Sequence, residues 1–171
     1  DFYLRHNVCE ANIDDYLDPK FGILEYVLEQ KKNGRIKHLG WSAHGSLEVM
    51  KRFLAVYGEH MEFCQLQLNY MDWHFQKCDE KVALCREWNL PVWVMEPLRG
   101  GKLCSLPQEM MDEMKKMRPE ETIPGWAFRF LQAIPEVTMV LSGMSSMEQL
   151  KENMKTWSED KPLTQEESDR L

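Results

Sequence analysis

The sequence lacks the features of several classes of protein. It has no run of eighteen apolar residues, so no segment is long and apolar enough to cross a membrane as a helix. Basic side chains are in the minority, because 21 Lys and Arg stand against 28 Asp and Glu, for a net charge of −7. Nucleic-acid binding starts from a basic surface, so this deficit argues against a nucleic acid as partner.

Cysteine is scarce, and its spacing shows no pairing pattern. The five cysteines lie at positions 9, 64, 78, 85 and 104. Their number is odd and no two of them form a CxxC pair, so neither a disulfide framework nor a cysteine-ligated zinc site is indicated. His38, His44, His60 and His74 also lack metal-ligand spacing. We therefore expect no metal site, and reduced thiols as in a cytoplasmic protein.

What the sequence does have is an alternation of strand and helix patterns. Five short apolar runs recur, at Phe2–Leu4, Ile36–Trp41, Phe63–Leu68, Val92–Met95 and Val137–Leu141. Stripes of apolar residues at helical spacing separate these runs. The alternation predicts an α/β fold with a parallel sheet and helical crossovers.

Chain length separates two parallel architectures. A barrel of eight βα units takes about 250 residues, or roughly 31 per unit. The 171 residues form one domain with about five and a half such units, too few to close a barrel. An open, doubly wound sheet is the alternative, but its usual glycine-rich turn after the first strand is not found in His6-Asn7-Val8.

The two ends of the chain also carry a signal. The sequence opens without Met, directly in the strand-like run that begins at Asp1. Near the other end, Thr164 and Glu167 form a capping box, and the chain stops four residues later. We expect the chain to be a piece of a longer protein, truncated at both ends.

Polar residues cluster where the predicted strands end. These positions hold His6, Ser42–His44, Gln65, Gln67, Asn69, Glu96–Gly101 and Gly143–Ser146. Amide side chains both donate and accept hydrogen bonds, which suits a carboxamide. Backbone N–H groups that precede a helix suit a phosphate. The pattern therefore favours a nucleotide or dinucleotide over a metal.

Five segments, taken in order, carry a resemblance to a known family. They are Asp1–His6, Gly34–Ser42, Gln65–Tyr70, Glu96–Gly101, and Gly143 with Leu150–Asn153. The chain resembles the aldo/keto reductase family, a nicotinamide-dependent (β/α)8 TIM barrel, over the fourth to eighth strand units. The resemblance implies a partial barrel with about five βα units and outer helices. It also implies NAD(P)H-dependent reduction of a small-molecule carbonyl substrate.

The same resemblance implies roles for individual residues. His6 would be catalytic and would polarise the carbonyl, while Ser42 and Gln65 would hold the nicotinamide carboxamide. The remaining cofactor-binding residues would be Leu98, Arg99, Gly100 and Gly143 at the pyrophosphate, and Glu152 and Asn153 at the adenine end. The catalytic Asp, Tyr and Lys of the family come from the first three units, which this chain does not contain. The isolated chain is therefore expected to lack activity.

The sequence departs from the family pattern in several places. Met95 and Ala43 stand where many members have Tyr and Asn. Ser145 and Gln149 stand where basic residues often bind the 2′-phosphate of NADP, so the choice between NAD and NADP stays open. Some segments look most like a bacterial subgroup with a ferredoxin-like C-terminal tail. An iron–sulfur cluster is expected only in such an extension, because this chain has no ligands for one.

Two alternatives to an enzyme remain. One is a non-catalytic half-barrel that serves as a binding or scaffold module and self-associates, because five strands leave two sheet edges exposed. The other is an ordinary five-stranded nucleotide-binding domain.

Overall fold

The computed structural model describes residues 1–171 and contains five parallel strands in one sheet. The strands are β1 (Phe2–Val8), β2 (His38–Ala43), β3 (Cys64–Gln67), β4 (Val92–Met95) and β5 (Val137–Val140). They lie side by side in the order in which they occur along the chain. Every predicted apolar run overlaps one strand, which confirms the prediction of an α/β fold built on a parallel sheet.

Nine α-helices connect and follow the strands. They are α1 (Ile13–Leu17), α2 (Ile23–Lys32), α3 (Leu47–Tyr57), α4 (Tyr70–Phe75), α5 (Cys78–Glu87), α6 (Gln108–Met117), α7 (Ile123–Gln132), α8 (Met147–Ser158) and α9 (Gln165–Ser168). Consecutive parallel strands are joined through these helices. Crossovers of this kind are almost always right-handed, which brings the connecting helices onto one face of the sheet. The five βα units thus form part of a barrel, as predicted, with the helices outside.

Local signals in the sequence explain where several helices begin. The side-chain oxygens of Ser46, Thr122 and Ser146 accept a backbone N–H from the first turn of α3, α7 and α8. Such a cap satisfies one of the N–H groups that a helix start leaves free. The predicted capping box of Thr164 and Glu167 is formed at the start of α9.

The hydrophobic core lies between the sheet and the helices. Side chains of a strand alternate between the two faces of a sheet, so Trp41, Leu66 and Val94 all point to the helices and are fully buried. The Trp41 ring stacks on Phe53 of α3, with the ring centroids 4.4 Å apart. This packing fixes the helices against the sheet and thereby fixes the loops that follow each strand.

The opposite face of the sheet, here called the inner face, is open. Phe63 and Trp93 stack on this face with ring centroids 3.9 Å apart, and Phe2 packs against Trp93 at 5.1 Å. β1 and β5 each have a neighbour on one side only, so both are sheet edges. On the β5 side, Met139 and Leu141 are exposed.

Candidate functional site

The predicted site residues of the first three strands lie next to each other at the carboxyl end of the sheet. Ser42 of β2 is paired in register with Gln65 of β3. The ring Nδ1 of His6, on the neighbouring β1, lies 2.9 Å from the Ser42 hydroxyl oxygen. His6, Ser42 and Gln65 therefore form a row across three adjacent strands.

His6 is held in place by contacts at both its side chain and its backbone. Ser42 is fully buried and accepts the backbone N–H of Asn7 at 2.7 Å, besides its contact with His6. The phenol of Tyr16 donates to the His6 carbonyl oxygen at 2.9 Å. His6 is itself exposed, so its imidazole is held in position and remains accessible to a ligand.

A second histidine lies beside His6, and the sequence pattern did not identify it as part of the site. The ring of His44 meets that of His6 edge to face, with the centroids 5.8 Å apart. Burial lowers the pKa of His44, and the positive charge that His6 can carry lowers it further. The sequence feature that could have indicated His44 is its position two residues after Ser42, just beyond the end of β2.

The row continues to the fourth strand through Gln65. Its side-chain N–H group lies 3.4 Å from the sulfur of Met95, the last residue of β4. Neighbouring strands lie about 4.8 Å apart, so the path from His6 to Met95 covers three strand spacings, or about 15 Å. The loop that follows Met95 begins at the far end of this path.

This loop, residues 96–101, has an unusual backbone. Glu96 and Arg99 have positive φ angles of 57° and 49°, and Gly100 and Gly101 follow at 63° and 86°. Non-glycine residues seldom adopt this conformation, and when they do they are often found at functional sites. The N–H groups of Leu98 and Gly100 donate to no acceptor within the chain, so both are free to bind a ligand.

A buried polar cluster holds this loop against the end of β3. Asn69, which is fully buried, donates to the Glu96 carbonyl oxygen at 3.0 Å and to the Asp72 carboxylate at 2.7 Å. Asp72 is also fully buried, and it accepts the amides of Gln67 at 2.9 Å and Gln76 at 3.1 Å. The sequence pattern singled out Gln67 and Asn69 but not their common acceptor.

The side chain of Arg99 belongs to this cluster. Its guanidinium lies 3.4 Å from the Asp72 carboxylate and 5.4 Å from the centre of the Phe75 ring. It also contacts the sulfur of Met71. The side chain of Arg99 is therefore turned toward α4.

A cavity of about 520 Å³ opens between this loop, the end of β5 and the start of α8. Five predicted cofactor-binding residues line it: Leu98, Gly100, Gly143, Glu152 and Asn153. The structure thus brings together two groups of predicted residues, the row that begins at His6 and this cavity.

Helix α8 supplies the polar wall of the cavity. Its side chains Gln149, Glu152 and Asn153 face the cavity, and the amide of Asn153 lies 3.4 Å from the Ser142 hydroxyl. Cys104 lies on another wall, where burial raises the pKa of its thiol and the negative charge of Glu152 raises it further. These walls therefore surround the cavity with a carboxylate, two amides and a thiol.

Other site types find no support in the structure. No group of three or more His, Cys, Asp or Glu residues is arranged to hold a metal ion. All five cysteines are free thiols. No helix combines the length and the apolar character that crossing a membrane requires.

Comparison with known proteins identifies relatives of this fold. The sequence model of the aldo/keto reductase family matches residues 11–171. An aldo-keto reductase from Bacillus halodurans, in its holo form, superposes with a TM-score of 0.77 at 24% identity, over 99% of this chain and 59% of its own. An aldo/keto reductase from Klebsiella pneumoniae, in complex with NADP and acetate, superposes with a TM-score of 0.72 at 20% identity, over 100% of this chain and 58% of its own.

These matches differ in what they establish. At identities of 24% and 20%, the two solved structures show a shared fold. This chain spans less than two thirds of the length of either. No curated protein sequence matches the chain.

Proposed function

The chain belongs to the aldo/keto reductase family, and from that membership we propose that it forms the C-terminal part of a carbonyl reductase. The reaction would move a hydride between NADH or NADPH and an aldehyde or ketone of a small molecule. The observation that carries the proposal is the continuous path from His6 to the cavity beside α8, all at the carboxyl end of the sheet. Catalytic groups of parallel βα barrels are found at that end.

The residues present fit a nicotinamide dinucleotide, which when bound would supply the hydride. The free N–H groups of Leu98 and Gly100 suit the pyrophosphate oxygens. Gln65 offers both a donor and an acceptor to a carboxamide, as two-sided recognition of that group requires. Ser42 is engaged with Asn7 and His6, so we assign it a role in holding His6 as well as the carboxamide.

His6 would act on the carbonyl oxygen of the substrate. The contact of its Nδ1 with the Ser42 hydroxyl fits a neutral ring that accepts there and carries its proton on Nε2. Such a ring can donate a hydrogen bond to a carbonyl oxygen and stabilise the negative charge that develops on it.

A substitution in the full-length gene product tests this assignment. His6→Ala should lower kcat much more than it weakens cofactor binding, because the ring is placed at the carbonyl and not at the nucleotide. His60→Ala, beyond the far end of α3, serves as the matched control and should change neither. A large rise in the Kd for NADPH with unchanged kcat would show that the role of His6 is wrong.

The isolated chain of 171 residues should have no reductase activity. The family draws its catalytic Asp, Tyr and Lys from three βα units that precede the part matched here, and positioned proton transfer typically contributes about 10² to 10⁴ in rate. NAD(P)H oxidation with a panel of aldehydes checks this proposal. Turnover above a protein-free blank that disappears in His6→Ala would refute it.

Self-association is a second proposal, and the open β5 side favours it. Met139, Leu141, Met144, Met154 and Trp157 are exposed there. Exposed apolar side chains at an unpaired sheet edge favour association with another chain. Light scattering of the isolated chain should therefore show a dimer or larger species, and a monomer in dilute solution would rule the proposal out.

Two further expectations belong with the proposed enzyme. Its five free thiols fit a reducing compartment, and we propose the cytoplasm. An iron–sulfur cluster is proposed only for a C-terminal extension that supplies its ligands.

A further inference from the structure

One buried lysine lies at the carboxyl end of the sheet without a partner. Lys81, in the first turn of α5, is only 8% exposed. Its ammonium reaches the surface but forms no ion pair and no hydrogen bond within the chain, whereas Lys77, one turn earlier, pairs with Glu80 at 3.1 Å. Lysine is almost never buried unless it is paired, because removing its charge from water is costly. Lys81 therefore points to an anionic partner that the chain itself does not supply.

The start of α5 lies close to the row of residues that begins at His6. The thiol of Cys78, the first residue of α5, donates to the carbonyl oxygen of Gln67 at the end of β3, at 3.3 Å. Helix α5 also packs against α3, which begins shortly after His44. Both helices thus start at the carboxyl end of the sheet, where the rings of His6 and His44 meet edge to face.

The charge of Lys81 acts on the loops that follow β1 and β2. Burial lowers the pKa of His44, and the positive charges of His6 and then Lys81 lower it further. The Ser46 N–H, which donates to the Glu10 carboxylate at 2.8 Å, lowers the pKa of Glu10, and Lys81 contributes in the same direction. Glu10 is engaged with Ser46 and forms no ion pair with Lys81, so the ammonium stays available to a ligand.

We infer that Lys81 and His44 bind a carboxylate of the substrate, so that the enzyme reduces aldehydes or ketones that carry a carboxylate at a second position. The inference rests on the proposed function, because it names the substrate class of the same site. Lys81 would supply the positive charge, and a neutral His44 ring would supply one N–H donor.

The geometry also sets the size of such a substrate. His6 would hold the carbonyl oxygen, and the centre of the His44 ring lies 5.8 Å from that of His6. A few carbon atoms between the carbonyl and the carboxylate are therefore enough for both groups to be bound at once.

The charges present favour a carboxylate over a phosphate. The single cation of Lys81 matches the single charge of a carboxylate. A phosphate monoester carries about −1.5 to −2 at neutral pH and has three acceptor oxygens to satisfy. The nearby Glu10 carboxylate would repel this second charge.

Steady-state kinetics of the full-length protein test the substrate class, with succinate semialdehyde as the anionic probe and pentanal as a neutral aldehyde of similar length. The kcat/KM for succinate semialdehyde should be at least about tenfold higher, as expected for a hydrogen bond to a charged group. Lys81→Met should lower this ratio by about tenfold through KM, and Lys81→Arg, which keeps the charge, should preserve it. Lys51→Met removes an exposed lysine of α3 and should leave the ratio unchanged.

Two further measurements do not depend on turnover. Succinate should bind the parent protein, and Lys81→Met should weaken this binding by about tenfold in isothermal titration calorimetry. Lys81→Met should also unfold at no lower temperature than the parent, because an apolar side chain replaces an unpaired buried charge. A melting temperature lowered by Lys81→Met would show that Lys81 stabilises the fold through a contact within the protein, and would overturn the inference.

The remaining outcomes separate the inference from the function on which it rests. A preference for succinate semialdehyde that is lost only in Lys81→Met supports the inference. Equal kcat/KM for the two aldehydes, a preference that survives Lys81→Met, or a higher kcat/KM for glycolaldehyde phosphate overturns it and leaves the proposed function standing. If no aldehyde is reduced, the proposed function fails. Succinate binding that depends on Lys81 would then still support the carboxylate site, and its absence would overturn the site as well.

Discussion

Replacing Asp72 by alanine should be among the most destabilising changes at the carboxyl end of the sheet. Its carboxylate is fully buried and accepts the side-chain amides of Asn69, Gln67 and Gln76. The alanine variant leaves all three donors, and the guanidinium of Arg99, without their acceptor. The polar cluster that anchors the loop of residues 96–101 would then be broken.

The expected cost follows from the burial of each partner. Asn69 is fully buried and its amide cannot turn to water, so losing the acceptor costs about 1–3 kcal/mol. Gln67 and Gln76 are half-buried and can recover hydration in part, which limits their loss to about 0.5–1 kcal/mol each. Removing the carboxylate also removes the free-energy cost of burying its charge, which offsets part of these losses. The free energy of unfolding should therefore fall by about 2–4 kcal/mol.

Urea unfolding of the intact protein, followed by circular dichroism, measures this difference. Asp14→Ala is the matched control, because Asp14 also pairs with an arginine, Arg52, but on the surface with 83% of its side chain exposed. Loss of that surface pair should cost at most about 1 kcal/mol. If the two alanine variants unfold at the same urea concentration, the buried cluster does not stabilise the fold and the reasoning fails.

Three further predictions concern packing, acid sensitivity and thiol reactivity. A Cβ atom at Gly40 would lie 2.4 Å from the Phe63 ring, so Gly40→Ala should lower the free energy of unfolding by about 1–3 kcal/mol. An unchanged melting temperature would contradict this close approach of the Gly40 backbone to Phe63. The Arg118 guanidinium holds the pKa of Glu167 at about 2, below its ordinary 4.5, so the stability that Glu167 contributes is present above about pH 4.5 and is lost as the pH falls toward 2. Glu167→Gln should therefore differ from the parent in unfolding free energy at pH 6 and converge with it near pH 2, and a constant difference would disprove the linkage. Finally, bound NADH should slow the alkylation of Cys104, which lines the proposed dinucleotide cavity; equal rates by mass spectrometry with and without NADH would argue against that site.

The sequence was sufficient for features that depend on neighbouring residues. Apolar runs located the strands, because a buried parallel strand needs several consecutive apolar residues. The capping box at Thr164 and Glu167 was readable for the same reason, since its two partners are three residues apart. The shared order of five short segments then predicted a partial barrel, which the family match and the solved relatives confirm.

Features that join distant segments could not be read in this way. Asp72 lies in the short helix α4, and nothing in its neighbourhood indicates that Arg99, 27 residues later, lies against it. The contact of His44 with His6 could not be predicted either, because it depends on the pairing of β1 with β2. The left-handed backbone of Glu96 was also hidden, since glycine is the usual marker of that conformation.

The consecutive strand order has a consequence for the way the protein is made. Each strand from β2 to β5 pairs with the strand that was synthesised just before it, so the sheet can grow strand by strand while synthesis continues. Partner residues such as Cys64 and Val92 are only one βα unit apart in sequence, which keeps the entropy cost of each closure low. The pairing of Val92 with Val137 spans the longest segment, which contains both α6 and α7, so docking of β5 should be the slowest closure of the series. At each stage of synthesis the newest strand is unpaired on one side, and the next strand to be synthesised pairs with it.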